Sequence, residues 1–265
     1  MQRPFLVVSD REGSLLDATG GTSFAAPSLL RLGAGIKARI GSNIGLLATR
    51  ALLVHTAELG DREMKEVGWG RVARDLDDVL LSDDDTIRVV YQGLISPAKY
   101  LRAAIPLPDG VMQGYVEITA TVCYKSLTDP HHPGNYTRAG LELTFRPHDG
   151  KRTDDDQQHA NTKSFFSKAG GTGEELELRR DAWKWENCLH ERKRFLGKSL
   201  RNPCFDIHYN ARLEGQNFTP DQQLPYALVV TVRAKSMRSL YDQVVRRYAT
   251  VLEAFRPVVD VPVRV

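Results

Sequence analysis

The sequence contains few cysteines and no long apolar run, and each shortage excludes a class of protein. The three cysteines, Cys123, Cys188 and Cys204, are too few and odd in number for a disulfide framework, which favours a reducing compartment over secretion. No stretch approaches the roughly 20 apolar residues that cross a membrane, and the first ten residues contain no signal-peptide core. We therefore expect a cytoplasmic protein that has no membrane partner.

The sequence also lacks a large excess of charge of one sign. Its net charge is +3, and 26% of the 265 residues are charged while 42% are hydrophobic. This is the composition of a soluble globular protein with one large domain or two ordinary ones. So small a net charge does not by itself imply a nucleic-acid partner.

What the sequence does contain is a stretch of small residues from Gly20 to Pro27, which reads GGTSFAAP. Its glycines can form a tight turn, and the alanines and Pro27 allow a helix to begin almost at Ser23, with Pro27 in the first helical turn. The Ser23 hydroxyl would then stand at the positive end of the helix, where unpaired amides can stabilise an oxyanion. On local chemistry alone, an ordinary capped helix explains the stretch more simply.

The run Gly21-Thr22-Ser23-Phe24-Ala25-Ala26-Pro27 resembles the Gly-Thr-Ser-x-Ala-x-Pro signature of the subtilisin-like serine proteases, the subtilases. The apolar helices that follow, the segment from Leu52 to Ala57 and the turn from Val67 to Val72 look like the elements that close the subtilase catalytic domain. Leu30 and Arg31 depart from the pattern, because the family usually has small residues there. The resemblance covers roughly the first third of the chain.

This resemblance implies a serine-type endopeptidase that hydrolyses polypeptides through an acyl-enzyme. Ser23 would be the nucleophile, its backbone N–H would donate to the oxyanion, and Gly21, Thr22 and Pro27 would support the serine turn. The family uses no cofactor for this chemistry, and we expect neither a cofactor nor a catalytic metal.

The family's triad also needs an aspartate and a histidine, which precede the serine in the chain. No histidine lies between Met1 and Ser23, and Asp10 and Asp17 do not replace the family's acid, which sits on a different strand. The triad Asp and His are therefore absent from this chain. We expect a fragment that is inactive alone, whose partner is the missing N-terminal part of the catalytic domain.

Helical periodicity dominates the first 82 residues. We predict an inner strand at Phe5–Ser9 that leads to the serine turn, followed by helices at 24–40, from Ser42 or Asn43 to about 58, and at 71–81. The first helix should be buried, with its glycines close to another backbone. His55, on the second helix, is expected to be structural. A polar run at 82–86 divides the chain into domains 1–82 and 83–265.

After this boundary the hydrophobic period changes to two. Strands are predicted at 87–95, 100–107, 115–125, 141–145, 205–213 and 226–235. A helix from Leu240 to Phe255 should pack on them, and Asp149–Asn161 should be a mobile loop. The predicted class is α+β overall, with a C-terminal piece of a subtilisin-like α/β domain followed by an antiparallel β-sandwich and a C-terminal helix.

Other interpretations remain open at this point. The chain could be a non-catalytic protein-binding module built on the β-sandwich. It could also be a nucleic-acid-associated module, because residues 179–201 mix basic and aromatic side chains, although the interspersed glutamates favour a solvated face. The pairs Cys188/His190 and Cys204/His208 could bind zinc, but their spacing matches no known zinc module and favours buried thiols and incidental histidines. The segment 129–135 contains two more histidines, but its Pro, Gly and Asn favour a turn over a metal site.

Overall fold

The structure, a computed structural model, describes residues 5–8, 15–97, 99–128, 130–131, 137–154, 159–166, 186–211 and 222–253. The first part of the chain contains a hairpin and four helices: β1 (Phe5–Val8), β2 (Leu16–Thr19), α1 (Thr22–Ile40), α2 (Leu46–His55), α3 (Met64–Val67) and α4 (Leu76–Leu80). The remainder contains β3 (Thr86–Ile95), β4 (Tyr100–Ala104), β5 (Tyr115–Tyr124), β6 (Ala139–Arg146), β7 (Cys188–Leu196), a 3₁₀ turn (Gly197–Ser199), β8 (Cys204–Ala211), β9 (Leu224–Arg233) and α5 (Leu240–Arg247).

Seven of the described strands, β3 to β9, form two antiparallel sheets. One sheet has the order β3-β9-β5-β7 and the other has the order β4-β8-β6. Each strand from β3 to β9 lies in the opposite sheet from the strand before it, so every connection crosses from one sheet to the other. The predicted α+β class and the two-sheet arrangement are confirmed.

This strand order is that of a jelly roll, in which two Greek keys fold into two facing sheets. A full jelly roll has eight strands, and the eighth would lie beside β6, between β6 and β7 in the chain. At that edge Lys163 forms an isolated antiparallel bridge with Phe145 of β6. The described residues therefore account for seven strands and for one bridge at the place of the eighth.

The main core lies between the two sheets. The inward side chains of β5, from Val116 to Tyr124, alternate along the strand and are all buried, as the sequence pattern predicted. They face an aromatic cluster from the other sheet, in which Phe145 and Phe205 have ring centroids 5.2 Å apart. Leu240 and Val244 of α5 close the same core. The prediction that a C-terminal helix packs on the sandwich is thus confirmed for α5. Its predicted end is wrong, because the helix ends at Arg247 and residues 248–253 are not helical, while Phe255 lies outside the described residues.

A second core lies on the outer face of the four-stranded sheet. There α2 packs across β5 and β9, and Ile44, Ala48 and Leu52 cover Cys123 and Val229. Thr119, Thr121 and Cys123 alternate along β5 with the side chains that face the main core, so they point to the outer face of the sheet. They are nevertheless buried, because α2 covers that face. Residues from both sides of position 82 therefore share one apolar cluster, and the division into domains 1–82 and 83–265 stays a prediction.

The helical predictions need correction at their ends. The second helix begins at Leu46, with Gly45 rather than Ser42 or Asn43 at its cap, and it ends at His55. The Gly45 amide donates to Gln92 Oε1 on β3, 2.8 Å away, so the sheet fixes the helix start. The predicted helix at 71–81 is limited to α4, because Arg71 instead forms a bridge with Glu58.

Two strands were missing from the sequence prediction, β2 and β7. The strand that leads into the serine turn is β2, which pairs with β1. None of the helices that the structure describes is both long and apolar enough to cross a membrane.

Candidate active site

The serine turn joins β2 to α1 through two glycines. Gly21 caps the helix with φ 154° and ψ 160°, a conformation that suits glycine because it has no Cβ. Its carbonyl accepts hydrogen bonds from the amides of Phe24 and Ala25 at 3.1 and 3.2 Å. The helix therefore begins at Thr22, as the sequence predicted to within two residues.

Ser23 is the second residue of α1 and is exposed to solvent. Its amide and that of Thr22 come before the first intrahelical hydrogen bond, so both belong to the set of N–H groups that a helix leaves available at its start. The partial positive charge of a helix N-terminus favours a negative oxygen beside these amides. The described geometry is therefore an exposed serine hydroxyl beside helix-start amides that precede the first intrahelical hydrogen bond.

The expected place of Pro27 is wrong by one turn. Because the helix starts at Thr22, Pro27 is its sixth residue and lies beyond the first turn. At that position a proline offers no N–H to the carbonyl four residues earlier, which is the carbonyl of Ser23. Pro27 therefore loosens the hydrogen bonding at the serine instead of simply starting the helix.

The expectation that α1 is buried is also wrong for its first half. Every residue from Gly20 to Arg31 is exposed, including Phe24 at 39%, Leu29 at 42% and Leu30 at 73%. The C-terminal half packs against α2 and α4, where Ile36 is fully buried. The physical reason is that the described part of the chain places no element over the serine end of the helix.

The glycines of α1 do permit close approach, but to side chains. A Cβ added at Gly35 would come within 2.7 Å of Leu76 Cδ1, and one at Gly33 would contact Thr49 Cγ2 at 3.6 Å. The predicted close packing of these glycines is confirmed. Their neighbours are side chains, however, and not the backbone that the prediction expected.

Among the described residues, none forms a hydrogen bond with Ser23 Oγ, so none of them is in place to act as its base. His55 is 3% exposed, and both of its ring nitrogens have threonine partners instead of Ser23. Its Nδ1 lies 2.8 Å from Thr121 Oγ1 and its Nε2 lies 2.7 Å from Thr231 Oγ1. The structural role expected for His55 is confirmed.

His55 belongs to a buried polar cluster on the outer face of the four-stranded sheet. Thr121 Oγ1 also lies 2.7 Å from Nδ1 of His190, and the Trp69 ring stands edge-on to His190 with centroids 5.6 Å apart. Burial lowers the pKa of His55 well below its usual value, and Arg88 and His190 lower it further. Burial also lowers the pKa of His190, to about 4. Both imidazoles are therefore neutral at pH 7.

A second polar cluster, on the outer face of the three-stranded sheet, was not found from the sequence. The buried Asp206 carboxylate accepts hydrogen bonds from Arg102 Nε at 2.7 Å and from Arg146 Nε at 2.6 Å. Burial would raise the pKa of Asp206, but the hydrogen bonds from the two arginines outweigh it and lower the pKa. A carboxylate in an alternating strand pattern carries no sequence signal for such a pair of partners.

The two cysteine–histidine pairs lie on different sheets. Cys188 and His190 are on β7, whereas Cys204 and His208 are on β8 of the other sheet. Across the part of the chain that the structure describes, no group of three His, Cys, Asp or Glu side chains could hold a metal ion.

The described portion of the basic aromatic segment, residues 186–201, is mostly the edge strand β7. Arg192 lies 3.9 Å from the Glu117 carboxylate, and the Arg194 guanidinium lies over the Tyr115 ring. Trp183 and Trp185 lie outside the described residues. Partners on β5 therefore engage part of the basic charge of this segment.

No protein-family model matches the chain, and no curated protein matches it. Among solved structures, similarity is found to the infectious bursal disease virus Gt strain, at 11% identity and a TM-score of 0.30 over 60% of this chain and 35% of that chain. The VP2 subviral particle of the same virus gives 13% identity and a TM-score of 0.29, over 60% and 36%.

The capsid of Helicobacter pylori bacteriophage KHP30 gives 11% identity and a TM-score of 0.21, over 55% of this chain and 93% of that chain. The chain thus spans about a third of the two infectious bursal disease virus proteins. With TM-scores this low, these likenesses carry no argument about function, and a jelly roll by itself hosts many unrelated functions.

Proposed function

We propose that the chain is the C-terminal part of a subtilisin-like serine endopeptidase, with Ser23 as its nucleophile. The observation that supports this most directly is the local structure of the Gly-Thr-Ser-x-Ala-x-Pro run of residues 21–27. It follows a strand, forms a glycine turn and starts the longest helix in the described part of the chain.

The exposed half of α1 supports the same proposal. A helix in a water-soluble domain normally buries an apolar stripe, yet Phe24, Leu29 and Leu30 are in solvent here. Such a surface fits a helix whose covering elements belong to another segment. In the proposal, that segment is the N-terminal part of the catalytic domain, and it also supplies the triad aspartate and histidine.

In the proposed reaction Ser23 Oγ attacks the carbonyl carbon of the scissile peptide while the supplied histidine takes its proton. The oxyanion that forms is stabilised by the Ser23 amide at the helix start. Protonation of the leaving amine by the histidine completes the acyl-enzyme, and water then releases the acid product. The jelly roll is an appended domain in this arrangement.

A fluorophosphonate probe, which reacts only with an activated serine, tests the proposal. We expect no labelling of the 265-residue chain, because loss of a triad member leaves only a residual roughly 10³–10⁴-fold catalysis over water. Joined to the protein sequence encoded immediately upstream, the chain should label at Ser23 and cleave casein. Ser23→Ala should abolish both activities.

Ser28→Ala provides the matched control. Ser28 lies on the same exposed half of α1, and its hydroxyl donates to the Phe24 carbonyl at 3.4 Å. The extended protein should keep its activity in this variant. Casein cleavage that persists in Ser23→Ala, or an upstream sequence without the aspartate and histidine motifs of the family, would overturn the proposal.

A further inference from the structure

Two of the three cysteines meet across neighbouring strands. Cys123 on β5 and Cys188 on β7 are paired directly in the antiparallel register, and their Sγ atoms are 3.3 Å apart. Both side chains are buried, at 0% and 7% exposure, beneath the helices that cover the outer face of the four-stranded sheet. This site lies apart from Ser23 and does not depend on the proposed peptidase function.

The backbone hydrogen bonds define the type of this pair. The Tyr124 amide donates to the Asn187 carbonyl, and the Gly197 amide donates to the Gly114 carbonyl. Pairs in an antiparallel ladder alternate between hydrogen-bonded and non-hydrogen-bonded types. Cys123 and Cys188 are therefore a non-hydrogen-bonded pair, whose Cα atoms lie about 4.5 Å apart, within the range that a disulfide spans.

We propose that Cys123 and Cys188 form a reversible cross-strand disulfide by exchange with a small-molecule disulfide of the glutathione type. The Sγ atoms need to approach by little more than 1 Å to reach the bond length of about 2.05 Å. No rearrangement of strand register is needed, because the two residues already face each other.

Cys188 is the thiol that reacts first. It lies at the start of an edge strand and is the more exposed of the pair. The S–H of Cys123 donates to Cys188 and lowers its pKa; burial opposes this effect, while the charge of Arg50 and a hydrogen bond from Trp69 support it. The same hydrogen bond, together with burial, raises the pKa of Cys123.

The exchange balances in two steps. The Cys188 thiolate attacks one sulfur of the small disulfide, which breaks its S–S bond and releases one small thiolate. Cys123 then loses its proton and attacks Cys188 Sγ of the mixed disulfide, which releases the second small thiolate. Two protein thiols are oxidised to one disulfide, and the small disulfide is reduced to two thiols, which take up the two protons.

The bond would fasten the edge strand β7 to the centre of its sheet. Among the described strands, β5 is the neighbour of β7 in that sheet. The disulfide closes a loop of about 65 residues, long enough for a substantial restriction of the unfolded chain. We expect oxidation to raise the midpoint of thermal unfolding by about 8 °C or more.

The test equilibrates the purified chain in mixtures of reduced and oxidised glutathione. Acid quenching, unfolding and alkylation with N-ethylmaleimide precede measurement of the intact mass. We expect the reduced chain to take up three maleimides, one for each free cysteine. The oxidised chain should take up one, at Cys204, and peptide mapping should find Cys123 joined to Cys188.

Cys204→Ser is the matched control, because Cys204 is also buried but lies on the other sheet. This variant should keep the disulfide and the rise in the unfolding midpoint, and Cys188→Ser should lose both. If Cys188→Ser fails to fold, the maleimide count and the peptide map of the unaltered chain still decide whether Cys123 and Cys188 form a disulfide. Three maleimides at every glutathione ratio, arrest at a glutathione adduct, or a bond to Cys204 would overturn the proposal.

Discussion

The imidazole of His55 lies between two threonine hydroxyls, one on β5 and one on β9. A neutral imidazole has one donor and one acceptor nitrogen, and a hydroxyl can serve either. Thr121 continues the chain of hydrogen bonds to His190. Protonation of either ring would place a charge in a buried site that already contains the guanidinium of Arg88, which donates to Thr231 Oγ1 at 3.1 Å.

This cluster predicts that the chain loses stability in mild acid. Because burial and nearby charge lower the pKa of both histidines in the folded state, their contribution is complete above an unfolded pKa of about 6.5 and falls as the pH drops. Between pH 6.5 and about 4, each histidine should lower the free energy of unfolding by up to about 1.4 kcal/mol for every pH unit that the pH falls. Urea unfolding at successive pH values measures this slope.

Single replacements separate the two histidines from the carboxylates that also titrate. His55→Gln and His190→Gln should each show a shallower fall in unfolding free energy than the unaltered chain between pH 6.5 and 4.5. Parallel curves for all three proteins would show that the histidines do not control acid stability.

The ion pairs of Asp206 predict an unequal effect of two similar arginines. The Arg146 side chain is 12% exposed, whereas that of Arg102 is 51% exposed. Arg146→Met should cost about 2–4 kcal/mol, because it removes a buried partner from a buried carboxylate. Arg102→Met should cost less than about 1 kcal/mol, since water can replace an exposed partner. Equal costs in urea unfolding would contradict the unequal burial of the two pairs.

Among the elements, α1 has two halves with different surroundings. Its last turns pack on α2 and α4, and its first ten residues are exposed. The exposed half contains the candidate serine and the proline that interrupts its hydrogen bonding. A helix held at one end only should begin to open at the other end.

Alanine replacements at two positions of α1 measure this difference. Ile36→Ala should cost about 2–4 kcal/mol, because Ile36 is fully buried against Ile44 and Val79. Leu30→Ala should change the unfolding free energy by less than about 0.5 kcal/mol, because its side chain is 73% exposed. In the chain joined to its upstream sequence, Leu30→Ala should lower the free energy of unfolding more, because the added segment would cover Leu30. A large cost in the 265-residue chain would mean that a neighbour already covers the serine end.

Of the sandwich strands β3 to β9, the sequence predicted those whose two faces differ in polarity and missed β7, whose two faces both carry charge. β5 alternates apolar and polar side chains, so its period was readable. β7 carries Leu189 and Phe195 towards the core, but charged residues stand on both of its faces, as is common for an edge strand. The sequence pattern does not show which sheet each strand joins or that α2 covers the outer face. Both features depend on contacts between residues that are distant in the chain.

The candidate site was predictable only in part for a related reason. The serine turn and the helix start depend on neighbouring residues, and the small residues from Gly21 to Pro27 were enough to predict both. The exposure of α1 depends on which elements are present to cover it, which a local pattern does not encode. The hydrogen bonds that surround His55 and Asp206 join residues 60 or more positions apart.

At the scale of the whole molecule, the helices and the jelly roll share apolar surface. Ala48, Leu52 and Val79 pack on Cys123, Ala227 and Val229 of the sheet. Removing the helices would expose that face of the sheet, and exposed apolar patches of this kind promote aggregation. The residues on either side of position 82 should therefore depend on each other for stability.

We predict that the chain unfolds in one transition. In a variant with Trp183→Phe and Trp185→Phe, the remaining tryptophan is Trp69, which packs against the second core. Its fluorescence and the far-ultraviolet circular dichroism of the sheets should change at the same temperature. Residues 83–265 expressed alone should aggregate or bind a hydrophobic dye. Two separate transitions, or a stable monomer from residue 83 onward, would show independent domains.

The strand order also has a consequence for synthesis of the chain on the ribosome. β9, which ends at Arg233, lies between β3 and β5, so the four-stranded sheet has a gap at its centre until β9 itself has emerged. Thr231, one of the two partners of His55, arrives with the same strand. Contacts between such distant residues form slowly. The serine-bearing helix is therefore made before β9, and the completed sheet on which its neighbour α2 rests is available only after translation of β9.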